Sequence, residues 1–212
     1  MHKSVLNLVN IQNEIKLNFK RVPNIIAVSK TFSSNQILPL LDHGHINFGE
    51  NKVQEALDKW VDLKSKYKNI KLHMIGKLQT NKVKNAISLF DYIHSIDNKK
   101  LAEKIANEQQ KQNKSIKFFI QVNIGDEEQK SGISKKDLRE FLSFCKNLKL
   151  NIVGLMCIPP INSNSDNYFN EMKILNKELN LAGNETALLT YTNTTSIDKS
   201  TLTRVTSLSN VR

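Results

Sequence analysis

Cysteine is nearly absent from this 212-residue chain: Cys145 and Cys157 are the only two, and no CxxC spacing occurs. That excludes a disulfide scaffold and the common zinc-binding spacings, and leaves two reduced, structural thiols. Arginine is scarce as well. Of 31 basic residues, only Arg21, Arg139, Arg204 and Arg212 are arginines, so the net charge of +11 is carried by lysines scattered along helices. With no aromatic interleaving and no zinc-finger or RNP-like motif, this charge predicts solvated helix faces rather than a specific nucleic-acid surface. It would still draw in an anionic ligand. No apolar run approaches the roughly 20 residues that a bilayer crossing needs. The start, MHKSVLNLVN, has neither a long apolar segment nor a small-residue cleavage site, so a cytosolic protein is expected. No repeat, low-complexity linker or composition shift marks a boundary, and one domain over residues 1–212 is expected.

What is present is alternation. Short apolar, β-branched runs recur at residues 25–28, 46–48, 72–75, 92–96, 118–123 and 152–156, with weaker candidates at 187–191 and 202–205. Runs without polar alternation fit strands of a parallel sheet covered on both faces. Helical patterns separate them at residues 35–41, 51–67, 81–88, 99–112, 134–148 and 167–179. Ser134 is placed as an N-cap with Asp137 three positions on. Eight strands alternating with helices predict an α/β (β/α)8 TIM-type barrel, imperfect at its last two strands. A leading helix over residues 2–20 carries Val5, Leu8, Val9, Ile15 and Phe19 on one face. Only seven residues follow the eighth strand candidate, so this helix is expected to cover the gap in the barrel wall.

Lys30 follows the first strand, and in such folds ligands bind at the loops after the strands. A lysine there can serve as an imine-forming nucleophile or simply be a solvated loop residue. Gly49-Glu50-Asn51 follows the second strand and reads, by itself, as a turn glycine and an Asn N-cap. His73 reads as a barrel-interior residue satisfied by hydrogen bonds, and His94 as another interior or strand-end residue. His43 and His45 form an HxH spacing with no nearby carboxylate or third ligand, and predict no metal site. Met156 ends the sixth strand.

Five blocks then agree in order and spacing: AVSK (27–30), FGENKVQEAL (48–57), LHMIGKLQTNK (72–82), QVNIGDEEQKSGI (121–133) and GLMCIPP (154–160). Over residues 5–180 the chain resembles the pyridoxal phosphate homeostasis protein family, whose barrel is like the alanine racemase N-terminal domain. The resemblance implies that Lys30 holds pyridoxal 5′-phosphate as an aldimine and that Asn51 lines the pocket; Met156, at the end of the sixth strand, is placed to pack against a planar ring. It implies a non-catalytic, monomeric cofactor carrier in vitamin B6 homeostasis that serves cofactor-dependent apo-enzymes. An amino-acid racemase or decarboxylase using the same cofactor is the alternative. Such enzymes add a second domain that completes the active site, for which this chain leaves no room. A degenerate member that no longer binds cofactor is a further alternative. Electrostatics would allow Lys130, in the loop after the fifth strand, to meet a phosphate, and the resemblance draws attention to this loop; a solvated loop lysine is the equal alternative.

From Ala182 onward the chain departs from the family pattern. Relatives carry serine- and glycine-containing elements that bind the phosphate and the pyridine nitrogen; the nearest counterparts here are Thr190, Thr194 and Arg204. No glycine occurs after Gly183, and glycine is what lets backbone amides close on a phosphate. Either weakened cofactor binding, through a less complete phosphate site, or a tail that diverged, for instance by a frameshift, is therefore expected.

Overall fold

The computed structural model describes residues 1–18, 23–127, 130–160, 165–181 and 185–188. Helix α1 (Lys3–Asn18) leads into β1 (Ala27–Val28), α2 (Ser34–Asp42), β2 (Asn47–Glu50), α3 (Val53–Lys66) and β3 (Lys71–Met74). A 3₁₀ turn (Thr80–Lys82), α4 (Val83–Leu89), β4 (Tyr92–Ile96), α5 (Lys99–Gln112) and β5 (Lys117–Val122) follow. The described part ends with α6 (Leu138–Asn147), β6 (Ile152–Cys157), α7 (Ser165–Glu178) and β7 (Glu185–Leu188). All neighbouring strands pair in parallel, in the order β1 to β7 without a crossover in the ladder.

Two hydrophobic clusters show how this sheet is shaped. The larger takes side chains from every helix, among them Leu8, Ile37, Trp60, Ala86, Ile105, Leu142 and Met172, packed on outward-facing strand residues such as Phe48, Leu72, Phe118 and Leu155. The smaller contains Ile26, Val28, Ile75, Phe119, Val153 and Met156 and takes nothing from a helix. These six are nonetheless at most 9% exposed. A flat sheet with helices on one face would leave its other face in water. Here that face buries itself, so the sheet is rolled into a barrel wall with helices outside.

Element order matches expectation closely, and most differences lie at the ends. Strand β2 extends through Glu50, so Asn51 is a strand-end residue rather than an N-cap; the cap position of α3 is Lys52, which makes no side-chain cap bond. Helix α6 begins at Leu138 rather than 134. Ser134 and Asp137 bond each other, side chain to side chain at 2.6 Å, within a preceding turn. Their reciprocal bonding satisfies the groups that would otherwise cap a helix. Strand β7 starts at Glu185, and residues 189–191 of its expected span lie outside the described residues. So do the eighth strand candidate and Thr190, Thr194 and Arg204.

Candidate functional site

The first strand ends where the chain must leave the barrel. Ser29 continues the ladder by donating its N–H to the Gly49 carbonyl at 2.9 Å, and the Val28–Gly49 register, carried two residues on, sets Lys30 level with Asn51. Because side chains alternate along a strand, Lys30 shares the inward side of Ile26 and Val28. Thr31 then turns sharply, with φ +66°. Lys30 is partly exposed and Met156 fully buried. Met156 belongs to the same interior cluster as Val28. Lys30 and Asn51 thus stand level beyond the paired ends of β1 and β2, and Met156, 126 positions after Lys30 (156 − 30), lies in the interior cluster with Val28.

Asn51 adds a specific observation. Its Oδ1 is buried and has no hydrogen-bond partner among the described residues. A buried amide oxygen without a donor is costly unless a ligand or water supplies one. Gly76 explains its placement: a Cβ there would sit 2.2 Å from the Asn51 carbonyl oxygen and 2.7 Å from its Cα. The ends of β2 and β3 approach so closely that only glycine fits. Gly76→Ala should therefore displace Asn51 and destabilise the fold by about 1–3 kcal/mol, read as a shift in the urea-unfolding midpoint. An unchanged midpoint would mean that the close approach is not maintained in solution.

Beneath the mouth lies a polar plug. Asn47 Oδ1 accepts from His73 Nε2 at 3.2 Å, and His73 Nδ1 lies 3.0 Å from His94 Nε2. With Asn47 as acceptor, His73 carries its proton on Nε2 and receives one from His94 Nε2–H. The His94 Nδ1 lone pair then has no partner among the described residues. His73 stacks on Tyr92 at 4.3 Å and His94 on Phe119 at 4.3 Å. Burial pushes both rings down in pKa, His94 to about 3 and His73 well below the usual histidine range, with the neighbouring His94 adding to the effect on His73. Both side chains are buried, His73 as the interior residue read from the sequence, and their lowered pKa values keep both rings neutral at pH 7.

The loop after β5 folds back on its own strand. Its return segment lies along β5, with Ile133 N–H donating to Gln121 O at 2.8 Å and Asn123 N–H to Ile133 O at 2.9 Å. Gly132, at φ +129°, makes that return possible. Lys130 is paired with Glu127, which lowers its availability to a phosphate. His45 bonds the Asn47 carbonyl at 2.8 Å, and no group of three metal-binding side chains occurs among the described residues. Burial pushes the thiols of Cys145 and Cys157 up to about 12, with Glu171 adding to the effect on Cys157. A cavity of about 220 Å³ between α1, α2 and the outer side of β1 borders Ser29 but not Lys30, so it is separate from the barrel mouth.

What sequence reasoning missed is the support under Lys30. Glu50 is completely buried, and its Oε1 accepts from Ser29 Oγ at 2.7 Å, Lys59 Nζ at 2.9 Å and Trp60 Nε1 at 2.9 Å. The i,i+4 spacing of Glu55 and Lys59 was a visible signal, but it reads as a surface pair. Nothing in the linear order says that it meets Glu50 and Ser29.

The family model described as "Alanine racemase, N-terminal domain" matches residues 6–200, continuing past Ala182, where the motif-level resemblance stops. The pyridoxal phosphate homeostasis protein of Haemophilus influenzae is 37% identical over 173 residues, covering 79% of this chain and 69% of that protein. PipY of Synechococcus elongatus, solved without PLP, superposes with a TM-score of 0.73 at 31% identity, covering 81% of this chain and 80% of its own. Its structure with PLP bound gives 0.69 at 32% identity, covering 77% and 78%. An alanine racemase of Clostridium difficile is only 13% identical, yet gives a TM-score of 0.67 over 91% of this chain and 52% of the racemase, which is a likeness of fold alone. The chain belongs to the pyridoxal phosphate homeostasis proteins within the alanine racemase N-terminal domain family. Its fold class is the α/β TIM-type barrel of that family.

Proposed function

We propose that this chain is a non-catalytic pyridoxal 5′-phosphate-binding protein of cofactor homeostasis, with Lys30 as the covalent attachment point. The observation that carries the reading is the extended β1–β2 register that sets Lys30 level with Asn51, whose buried side-chain oxygen has no partner among the described residues. When bound, the cofactor supplies an aldehyde that condenses with a primary amine, losing water, and a phosphate that anchors it by charge. The chain's residues then have distinct tasks. Lys30 presents its amine, Asn51 Oδ1 accepts a hydrogen bond, and Met156 with Val28 forms the apolar floor. Thr190, Thr194 and Arg204 are proposed to supply hydroxyl and cationic donors to the phosphate and the ring nitrogen. The excess of lysine favours approach of the anionic ligand.

The racemase alternative has less support. Relatives named for homeostasis stand above 30% identity, whereas the alanine racemase neighbours share little more than the fold, and fold alone does not transfer an activity. The chain is proposed to work as a single-domain monomer in the cytosol, passing cofactor to apo-enzymes, without a nucleic-acid or membrane partner. No helix among the described residues is long and apolar enough to cross a membrane. Titrating the purified protein with pyridoxal 5′-phosphate should give a saturable visible band, and a panel of L-amino acids added to the loaded protein should show no turnover by chiral chromatography. Absence of the band would overturn binding; robust turnover would overturn the carrier reading.

A further inference from the structure

Lys59 of α3 lies beneath the first strand, 7% exposed at its side chain, with three acceptors for its three ammonium protons. It donates to the Ser29 carbonyl at 2.7 Å, to Glu50 Oε1 at 2.9 Å and to Glu55 Oε1 at 3.4 Å. The same Glu55 oxygen accepts the backbone N–H of Thr31. One ammonium therefore ties down both residues that flank Lys30, Ser29 directly and Thr31 through Glu55. Ser29 is held a second time through its hydroxyl on Glu50. Thr31 needs such restraint because a β-branched residue rarely adopts φ +66°.

We infer that Lys59 is a positioning residue for Lys30: with Glu50 and Glu55 it fixes the backbone on either side of the attachment lysine so that the amine meets the bound aldehyde. The inference rests on the proposed role of Lys30. Stability alone is a weak reason for this arrangement. A buried ion pair loses in desolvation much of what it gains in attraction, and apolar replacements of both partners are often as stable. Glu50 Oε2 even lacks a partner among the described residues, so the pair is not optimised as a stabilising contact. What it provides is geometry. The bonds converge on one strand end, and a small misplacement of a reacting group is expensive in a bond-forming step.

The test uses the full chain with Glu50→Gln and Lys59→Met together, which removes both charges so that neither is left buried alone. Cofactor affinity is measured by equilibrium titration in four chains: the unaltered protein, this double variant, Lys30→Ala, and all three substitutions combined. Amide hydrogen exchange of the unliganded proteins is followed at residues 29–31. The expected result is at least tenfold faster exchange there and at least tenfold weaker binding when Lys30 is present, with no further loss in the Lys30→Ala background. A merely structural role would weaken binding equally in both backgrounds, and that outcome overturns the inference, as does unchanged binding. If the unaltered chain takes up no cofactor, the functional reading fails instead, and exchange at residues 29–31 still decides whether Lys59 restrains this segment. Unchanged exchange overturns the restraint. Should the double variant lose its cooperative thermal transition, the single substitution Glu55→Gln, which removes only the charge on the link to Thr31, is read by the same two measurements.

Discussion

Replacing Lys30 by alanine should remove the protein-linked visible band completely and leave no borohydride-fixed adduct. The proposed attachment is one covalent bond, so its loss is all-or-none rather than graded. The chain offers many competing amines, but their surroundings differ. Lys59 is buried with three acceptors, Lys64 bonds Asp91 at 2.8 Å, Lys135 bonds Glu171 at 2.9 Å, and Lys130 is paired with Glu127. Lys30 follows the end of a barrel strand and stands level with Asn51, whose buried side-chain oxygen has no partner among the described residues. Borohydride treatment of the unaltered protein followed by peptide mass mapping should place the pyridoxyl group on the peptide containing Lys30. A dominant adduct on Lys130 or another lysine would sink the assignment. Residual reversible affinity in Lys30→Ala is expected, because the phosphate and the Asn51 contact do not depend on the amine.

The second large effect is a loss of stability in acid, driven by the interior histidines. Burial holds both His73 and His94 below the ordinary histidine value of 6.5, His94 at about 3. Above pH 6.5 the folded and unfolded chains both carry neutral imidazoles, and the pair adds no pH dependence. As pH falls below 6.5 the unfolded chain takes up protons that the folded chain refuses. Stability is therefore lost progressively from pH 6.5 downward, until the folded rings themselves charge near pH 3 for His94. At pH 5 the cost is about 2 kcal/mol for His94, from roughly 1.4 kcal/mol per pH unit, and His73 adds to it in the same direction. Protonation of His94 would turn its Nδ1 into a buried donor with no acceptor among the described residues, and protonation of His73 at Nδ1 would remove the acceptor of the His73–His94 bond. Urea unfolding between pH 7.5 and 5 should show this slope, and His94→Phe should flatten it by about 1.4 kcal/mol per pH unit. Parallel pH profiles for the variant and the unaltered chain would show that His94 is protonated in the folded state.

The repeated elements were legible from the sequence because they are local. Apolar runs without alternation, such as residues 92–96 and 152–156, demand burial on both sides, and the helical patterns between them leave one economical solution. The five motif blocks singled out Lys30 and Asn51, which the β1–β2 register sets level with each other; Met156 lies in the interior cluster with Val28. Short-range errors followed from competition between local bonds: Ser134 and Asp137 satisfy each other before α6 begins, and β2 runs on into what had read as a cap. Thr190, Thr194 and Arg204 lie outside the described residues, and their roles rest on resemblance.

By itself the sequence determined the periodic alternation of strand and helix, the reduced thiols and the motif lysine, since each depends on residues near one another in the chain. Only the tertiary structure decided which polar groups share a buried site. Glu50, Lys59 and Ser29 belong to a strand, a helix and a strand end, and His73 and His94 to two different strands. Their partners are set by the rolling of the sheet and the seating of α3 against it, and no linear spacing encodes a bond formed across those surfaces. The reason is physical: burial, not sequence proximity, makes a charged or polar group find its partner.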